Sequence, residues 1–318
     1  MNDIQEVRRM LAPANPVPPG GLAGSAQDAA GRAAFARVTA SRPAPPRRRT
    51  RARLVAVGGL AVAVAAGVTV AQNTDDPGRP AVQQLSGAQV VLVKAADAVR
   101  TRGFTAPRPD QWVYVETRYR RSGVPRKGEV RTPASPLTTV VDRLWTKADG
   151  TRLAYAEKGR LVVSPTGSAM PPSDYATVAR LPRDPDALLA WARRNAPPKA
   201  GDDRAFGLLS SLLNNNGVLP PDQEAAVYRA MAKIPRVVLD RAARDGRGRP
   251  ALGVSLVVEG YVKQEILLDP ATYAYRGHRA TIVRDHTFPD GGTFRKGTVE
   301  SESMRLAAGV VDRAGQRP

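Results

Sequence analysis

The chain has 318 residues, carries 48 lysines and arginines against 29 aspartates and glutamates for a formal charge of +19, and contains no cysteine. That length fits one large domain with appendages or two ordinary domains, and the lack of cysteine excludes disulfides, thiolate catalysis, Cys-based zinc sites and a lipid-modified N-terminal cysteine. Aromatic residues make up 5% of the chain while glycine and proline number 28 each, so much of it must be turn, loop or linker.

The charge is uneven. Residues 1–53 hold ten arginines against three acids, +7 in all, which leaves +12 spread over the other 265 residues. So diffuse an excess makes no single polyanion-binding patch, and no nucleic-acid partner is expected; codon bias accounts for an Arg-rich, Lys-poor chain equally well. Near the start, Asp3 and Glu6 have capping-box spacing ahead of Ile4, Val7 and Leu11, which predicts a short helix ending before Pro13. Pro16, Pro18 and Pro19 mark a linker, and residues 25–40 form a weak helical stretch, so 1–53 reads as a basic, disordered-leaning tail whose first helix either docks a cytoplasmic protein partner or rests frayed near the headgroups.

Residues 54–71, LVAVGGLAVAVAAGVTVA, carry no charge and have the length of a helix that crosses a bilayer. Arg47, Arg48, Arg49, Arg51 and Arg53 precede them and Asp75 and Asp76 follow, so the positive-inside rule predicts a single-pass cell-membrane protein with a cytoplasmic N-terminus and an extracytoplasmic remainder. The bilayer is then a partner in its own right. A cleaved leader, with Thr69 and Ala71 as the small residues before the cut, is the alternative.

After a flexible stem over 72–85, residues 86–318 read as one extracytoplasmic α+β domain. Ser86 and Gln89 form a capping box for a helix over 87–102, closed by Gly103. Alternating aromatic and β-branched residues then predict strands over 111–121, 138–147, 151–158 and 160–164. Asp184 and Pro185 open a helix reaching 194, a second covers 203–213 and ends at the run Asn214, Asn215, Asn216, Gly217, and a third covers 221–233. Strands resume over 236–240, 252–259, 261–268, 280–285 and 297–306. Helix, meander, helices, meander gives a sheet packed on several helices.

The segments QWVYVETRYRR, LPRDPDALLAWARR, LLNNNGVLPPDQEAAVYRAMAKIP and QEILLDPATYAYRGHR, set behind a basic tail and an apolar run, resemble a family of actinobacterial membrane-anchored proteins of unassigned function. The outer part of that family is in turn similar to the LolA/RseB-type envelope fold. This resemblance implies a curved antiparallel sheet that half-encloses helices, a lipid or lipoprotein ligand, and a link to extracytoplasmic-function sigma factors.

No catalytic constellation can be assembled from the sequence. His278 and His286 are the only histidines, and their spacing does not match a helical metal pair. Glu300 with Glu302, and Glu259 with Glu265, are carboxylate pairs at strand or hairpin spacing, which is ordinarily a solvated arrangement. Ser255 after Gly253 lacks the second glycine and the following helix of a nucleophile elbow, and Gly246 and Gly248 begin no phosphate loop. No cofactor or metal is expected. Trp112, Tyr114, Trp145 and Trp191 are the candidates for an apolar pocket. The lack of a catalytic set, together with the groove that the resemblance implies, favours a binding or sensor module over an extracytoplasmic hydrolase or a basic scaffold adhering to the envelope.

Overall fold

The computed structural model describes residues 85–157, 159–166, 170–196 and 201–318. Its first helix, α1 (Gly87–Arg100), opens with the expected capping box: the Ser86 hydroxyl accepts from the Gln89 amide at 3.3 Å, and the Gln89 side chain accepts from the Ser86 amide at 2.8 Å. Val91, Leu92, Ala95, Ala96 and Val99 form its buried stripe, whereas Val90 turns outward.

The strands are β1 (Trp112–Arg121), β2 (Val130–Arg131), β3 (Thr138–Lys147), β4 (Arg152–Glu157), β5 (Arg160–Pro165), β6 (Val238–Asp240), β7 (Leu252–Val258), β8 (Val262–Leu268), β9 (Tyr275–Ile282), β10 (His286–Thr287), β11 (Thr293–Phe294) and β12 (Val299–Val311). Nine of them make one antiparallel sheet in the order β5-β4-β3-β1-β12-β9-β8-β7-β6. The last long strand thus joins the two meanders, with Trp112 opposite Val311 and Ser303 opposite His278. β10, β11 and β2 form a separate small sheet that two-residue strands cannot announce by periodicity.

Between the meanders lie a four-residue helix α2 (Tyr175–Val178) and three longer helices, α3 (Pro185–Asn195), α4 (Asp202–Asn215) and α5 (Pro221–Ala232). Asp184 caps α3 by accepting from the Ala187 amide at 2.9 Å, with Pro185 in the first turn. Leu92, Phe206, Leu209, Tyr228 and Met231 of the helices pack with Val254 and Ile266 of the sheet, each completely or almost completely buried, to make the main core. The helices sit on the β6–β9 end of the sheet. On the opposite face Tyr114, Trp145, Ala154 and Val311 form a second cluster under the C-terminal residues, where Trp145 Nε1 donates to the Gln316 carbonyl at 2.6 Å.

Two expectations are corrected. The curved sheet half-enclosing its helices is instead, among the described residues, an open sheet with β5 and β6 at its edges; β4 leaves β3 after three residue pairs and β6 is only three residues long. The single-pass anchor is corrected too: among the described residues no helix is long and apolar enough to cross a membrane. The longest, α1 and α4, have 14 residues, where a spanning helix needs about 20. The run 54–71, the arginines Arg47, Arg48, Arg49, Arg51 and Arg53 and the proposed docking tail lie outside the described residues. With the anchor go the bilayer as partner and a cell-membrane location with a cytoplasmic N-terminus.

Candidate functional site

The site follows from incomplete coverage of the sheet. Residues alternate between faces along a strand, so Val115, Thr117 and Tyr119 of β1, Leu144 of β3 and Tyr155 of β4 share the face that carries the helices. At the β6–β9 end that face is buried under α1 and α4. At the β3–β4 end it lines a cleft of about 650 Å³ whose far wall is Ser173 with Asn214 and Asn215, the last turn of α4. A second cleft of about 380 Å³ lies beyond Asn214, walled by Arg204, Ser210, Gln264 and His278. Asn214 borders both.

Asn214 is held from three sides. Its Oδ1 accepts from Ser303 Oγ at 2.6 Å and from the Tyr275 hydroxyl at 3.0 Å, and its carbonyl accepts from Arg305 Nη2 at 2.9 Å. The same guanidinium nitrogen reaches the Leu213 carbonyl at 2.8 Å, so a half-buried arginine satisfies the carbonyl end of α4. Asn216 continues the seam by donating to the Leu212 and Pro172 carbonyls, which fixes the loop leading to Ser173. Burial raises the Tyr275 phenol above its ordinary range, so it stays a neutral donor. Gly217 follows because a Cβ there would come within 2.5 Å of Val115 and 3.0 Å of the Tyr114 carbonyl.

The cleft lining mixes apolar walls with polar groups. Thr117 is nearly buried and, among the described residues, its hydroxyl has no hydrogen-bond partner. In the second cleft Ser210 has the same property, and the imidazole of His278 is pushed down to about 4 by burial, against a smaller opposing pull from Glu265. Such a histidine is neutral at physiological pH and is no general acid there.

The four aromatic residues expected to form an apolar pocket are split. Trp112, Tyr114 and Trp145 lie together on the other face of the sheet, with the Tyr114 and Trp145 ring centroids 5.0 Å apart, while Trp191 packs against the helical core. None of the four lines either cleft. Glu116 beside them is held below the ordinary carboxylate range: burial alone would raise it, but hydrogen bonds from Tyr114 and Arg143 outweigh that. Glu259 pairs with Arg204, while the completely buried Glu265 pairs with Arg279 at 2.6 Å and Lys263 at 3.2 Å. Glu302 pairs with Arg120 at 3.2 Å. His286 stacks on Tyr261 at 3.6 Å, far from any such pair in role. Among the described residues no group of three or more His, Asp or Glu is gathered as metal ligands.

No protein-family model matches the chain, and no curated protein is significantly similar to it. Among solved structures it is similar to a chain of the Pseudomonas aeruginosa MucA/MucB complex at 15% identity over 73% of this chain and 59% of that one, with a TM-score of 0.29. MucB by itself gives 14% identity, 73% and 60% coverage and a TM-score of 0.24. A LolA superfamily protein from Nitrosomonas europaea gives 8% identity, 73% and 94% coverage and 0.16. The chain spans about three-fifths of the length of the first two. Scores this low carry no functional weight, which falls on the cleft itself.

Sequence reasoning sought a pocket in the tryptophans and missed Thr117, Asp142, Tyr155 and Asn214. The signal that was present is the run Asn214, Asn215, Asn216, Gly217, which reads as a helix stop but whose first two residues still belong to α4 and serve as its polar wall.

Proposed function

We propose that this domain is a non-enzymatic binding module and that its ligand is amphipathic, of the lipid or lipoprotein class. The observation behind this reading is the cleft: Val115, Leu144 and the Tyr155 ring offer an apolar wall to an acyl chain, while Thr117, Asn214 and Asn215 offer hydrogen bonds to a polar head. The volume suits a single-chain lipid, and pockets of this kind bury most of their ligand. The buried carboxylates Glu265 and Glu302 are each paired with a cation, which supports binding over catalysis.

In the finer form of the proposal, occupancy is reported to a protein partner and through it to a sigma factor. NMR of side-chain amides tests the binding step. Titration with a lysophospholipid is expected to shift the Asn214 and Asn215 Nδ2 resonances and leave that of Gln111, at the distant end of β1, in place. Saturating lipid that moves none of them refutes the reading.

A further inference from the structure

The wall of the cleft formed by β3 is also a strand edge. β3 pairs with β1 along its whole length, Thr138 to Lys147, but among the described residues β4 pairs only with Leu144, Trp145 and Thr146 before turning away. Thr138, Thr139, Val140, Val141 and Asp142 are exposed, and the wedge between the parting strands opens into the 650 Å³ cleft, which Val141, Asp142 and Ala156 help to line. In an antiparallel ladder the main-chain groups alternate between neighbours. The Ala148 amide donates to the Gln111 carbonyl on the β1 side, so even-numbered residues of β3 bond toward β1. The amides and carbonyls of Thr139, Val141 and Arg143 therefore point into the wedge.

We propose that this edge receives an extended peptide of a partner protein, added as a further strand beside residues 139–143, with apolar residues toward the cleft and acidic residues on the other face. A row of main-chain donors and acceptors at strand spacing is satisfied by another strand and by little else. The side chains set the alternation. Toward the cleft the added strand meets Val140, Asp142 and Leu144, backed by Tyr119; on the other face it meets Val141 and Arg143, which also holds Glu116, with Arg118 and Arg120 one strand further. This surface adjoins the lipid cleft but does not depend on the lipid reading, and its test contains no lipid.

The probe is a fluorescein-labelled nine-residue peptide of alternating valine and glutamate, titrated against the full chain by fluorescence anisotropy. Val141→Pro removes the outward amide without touching the β1 ladder, as proline is tolerated where the N–H faces away from a partner strand. Val141→Ala keeps that amide. The native chain and Val141→Ala are expected to bind alike, within about threefold, while Val141→Pro loses about tenfold or more, as the loss of a hydrogen-bonded donor in a ladder implies. The same loss is expected when the peptide is N-methylated at alternate residues, a readout that holds even if Val141→Pro fails to fold. Undiminished binding of the N-methylated peptide, or of a folded Val141→Pro, overturns the proposal, as does the absence of binding by the native chain. Self-association abolished by Val141→Pro, with no peptide binding, overturns it in favour of a second copy of this chain.

Discussion

Asn214 and His278 carry most of the chemistry that single residues bring to this domain. Asn214 accepts from two hydroxyls while Arg305 secures its backbone, so Asn214→Ala strands Ser303 and Tyr275 as unpaired donors in a partly buried seam. We expect a loss of about 1–3 kcal/mol of stability, the cost of such orphaned groups, measured by chemical denaturation; an unchanged midpoint contradicts the network. His278 governs a pH dependence. Its native pKa is about 4 because burial disfavours the charged ring, against 6.5 when unperturbed. Between those values the unfolded chain binds a proton that the native state refuses, so stability is full above about 6.5 and declines as pH falls toward 4. His278→Gln is expected to flatten the stability profile in that window, and an identical profile contradicts the assignment. Neither role was legible from residue type: a histidine two residues from Arg276 in a predicted turn gives no sign that it points between α4 and β8.

At the scale of elements, the parts with local signals were readable and the parts set by partners were not. The Ser86–Gln89 box and the Asp184–Pro185 start placed α1 and α3 to within a residue or two, because capping is chemistry between near neighbours. Ser86→Ala is expected to cost about 1 kcal/mol, read as a lower thermal midpoint; no change contradicts the capping role. β9 was read over 280–285, whereas it runs from Tyr275 to Ile282 and passes through Gly277. Its reason is tertiary. A Cβ at Gly277 would lie 2.1 Å from the Ser303 carbonyl of β12, so glycine is what allows the two meanders to join. Gly277→Ala should destabilise the fold by about 1–3 kcal/mol, as overpacking at a tight contact does, with amide exchange rising first along β9 and β12. Protection unchanged on both strands contradicts the seam. The end of α4 was misjudged for a related reason: asparagines are poor helix formers, and Arg305, 91 residues beyond Asn214 in sequence, holds the Leu213 and Asn214 carbonyls in the last turn.

For the whole molecule, the α+β class and the order of helix, meander, helices, meander followed from periodicity, but the arrangement of the layers did not. Nothing in the strand patterns says that β12 inserts between β1 and β9, or that β4 parts from β3, and those two facts create the open half-sheet and its cleft. The tryptophans drew attention because large aromatics are rare in this chain, yet burial claimed them on the far face and in the helical core, leaving the cleft to threonine, tyrosine and asparagine. The central claim, that this cleft is a ligand site, is tested most directly by native mass spectrometry of the chain with a lysophospholipid, comparing the native sequence with Ser173→Trp, which places an indole in the cleft mouth. The account predicts a one-to-one lipid adduct for the native chain and its loss in Ser173→Trp, with the thermal midpoint little changed. An adduct of equal abundance in both, or in neither, contradicts it.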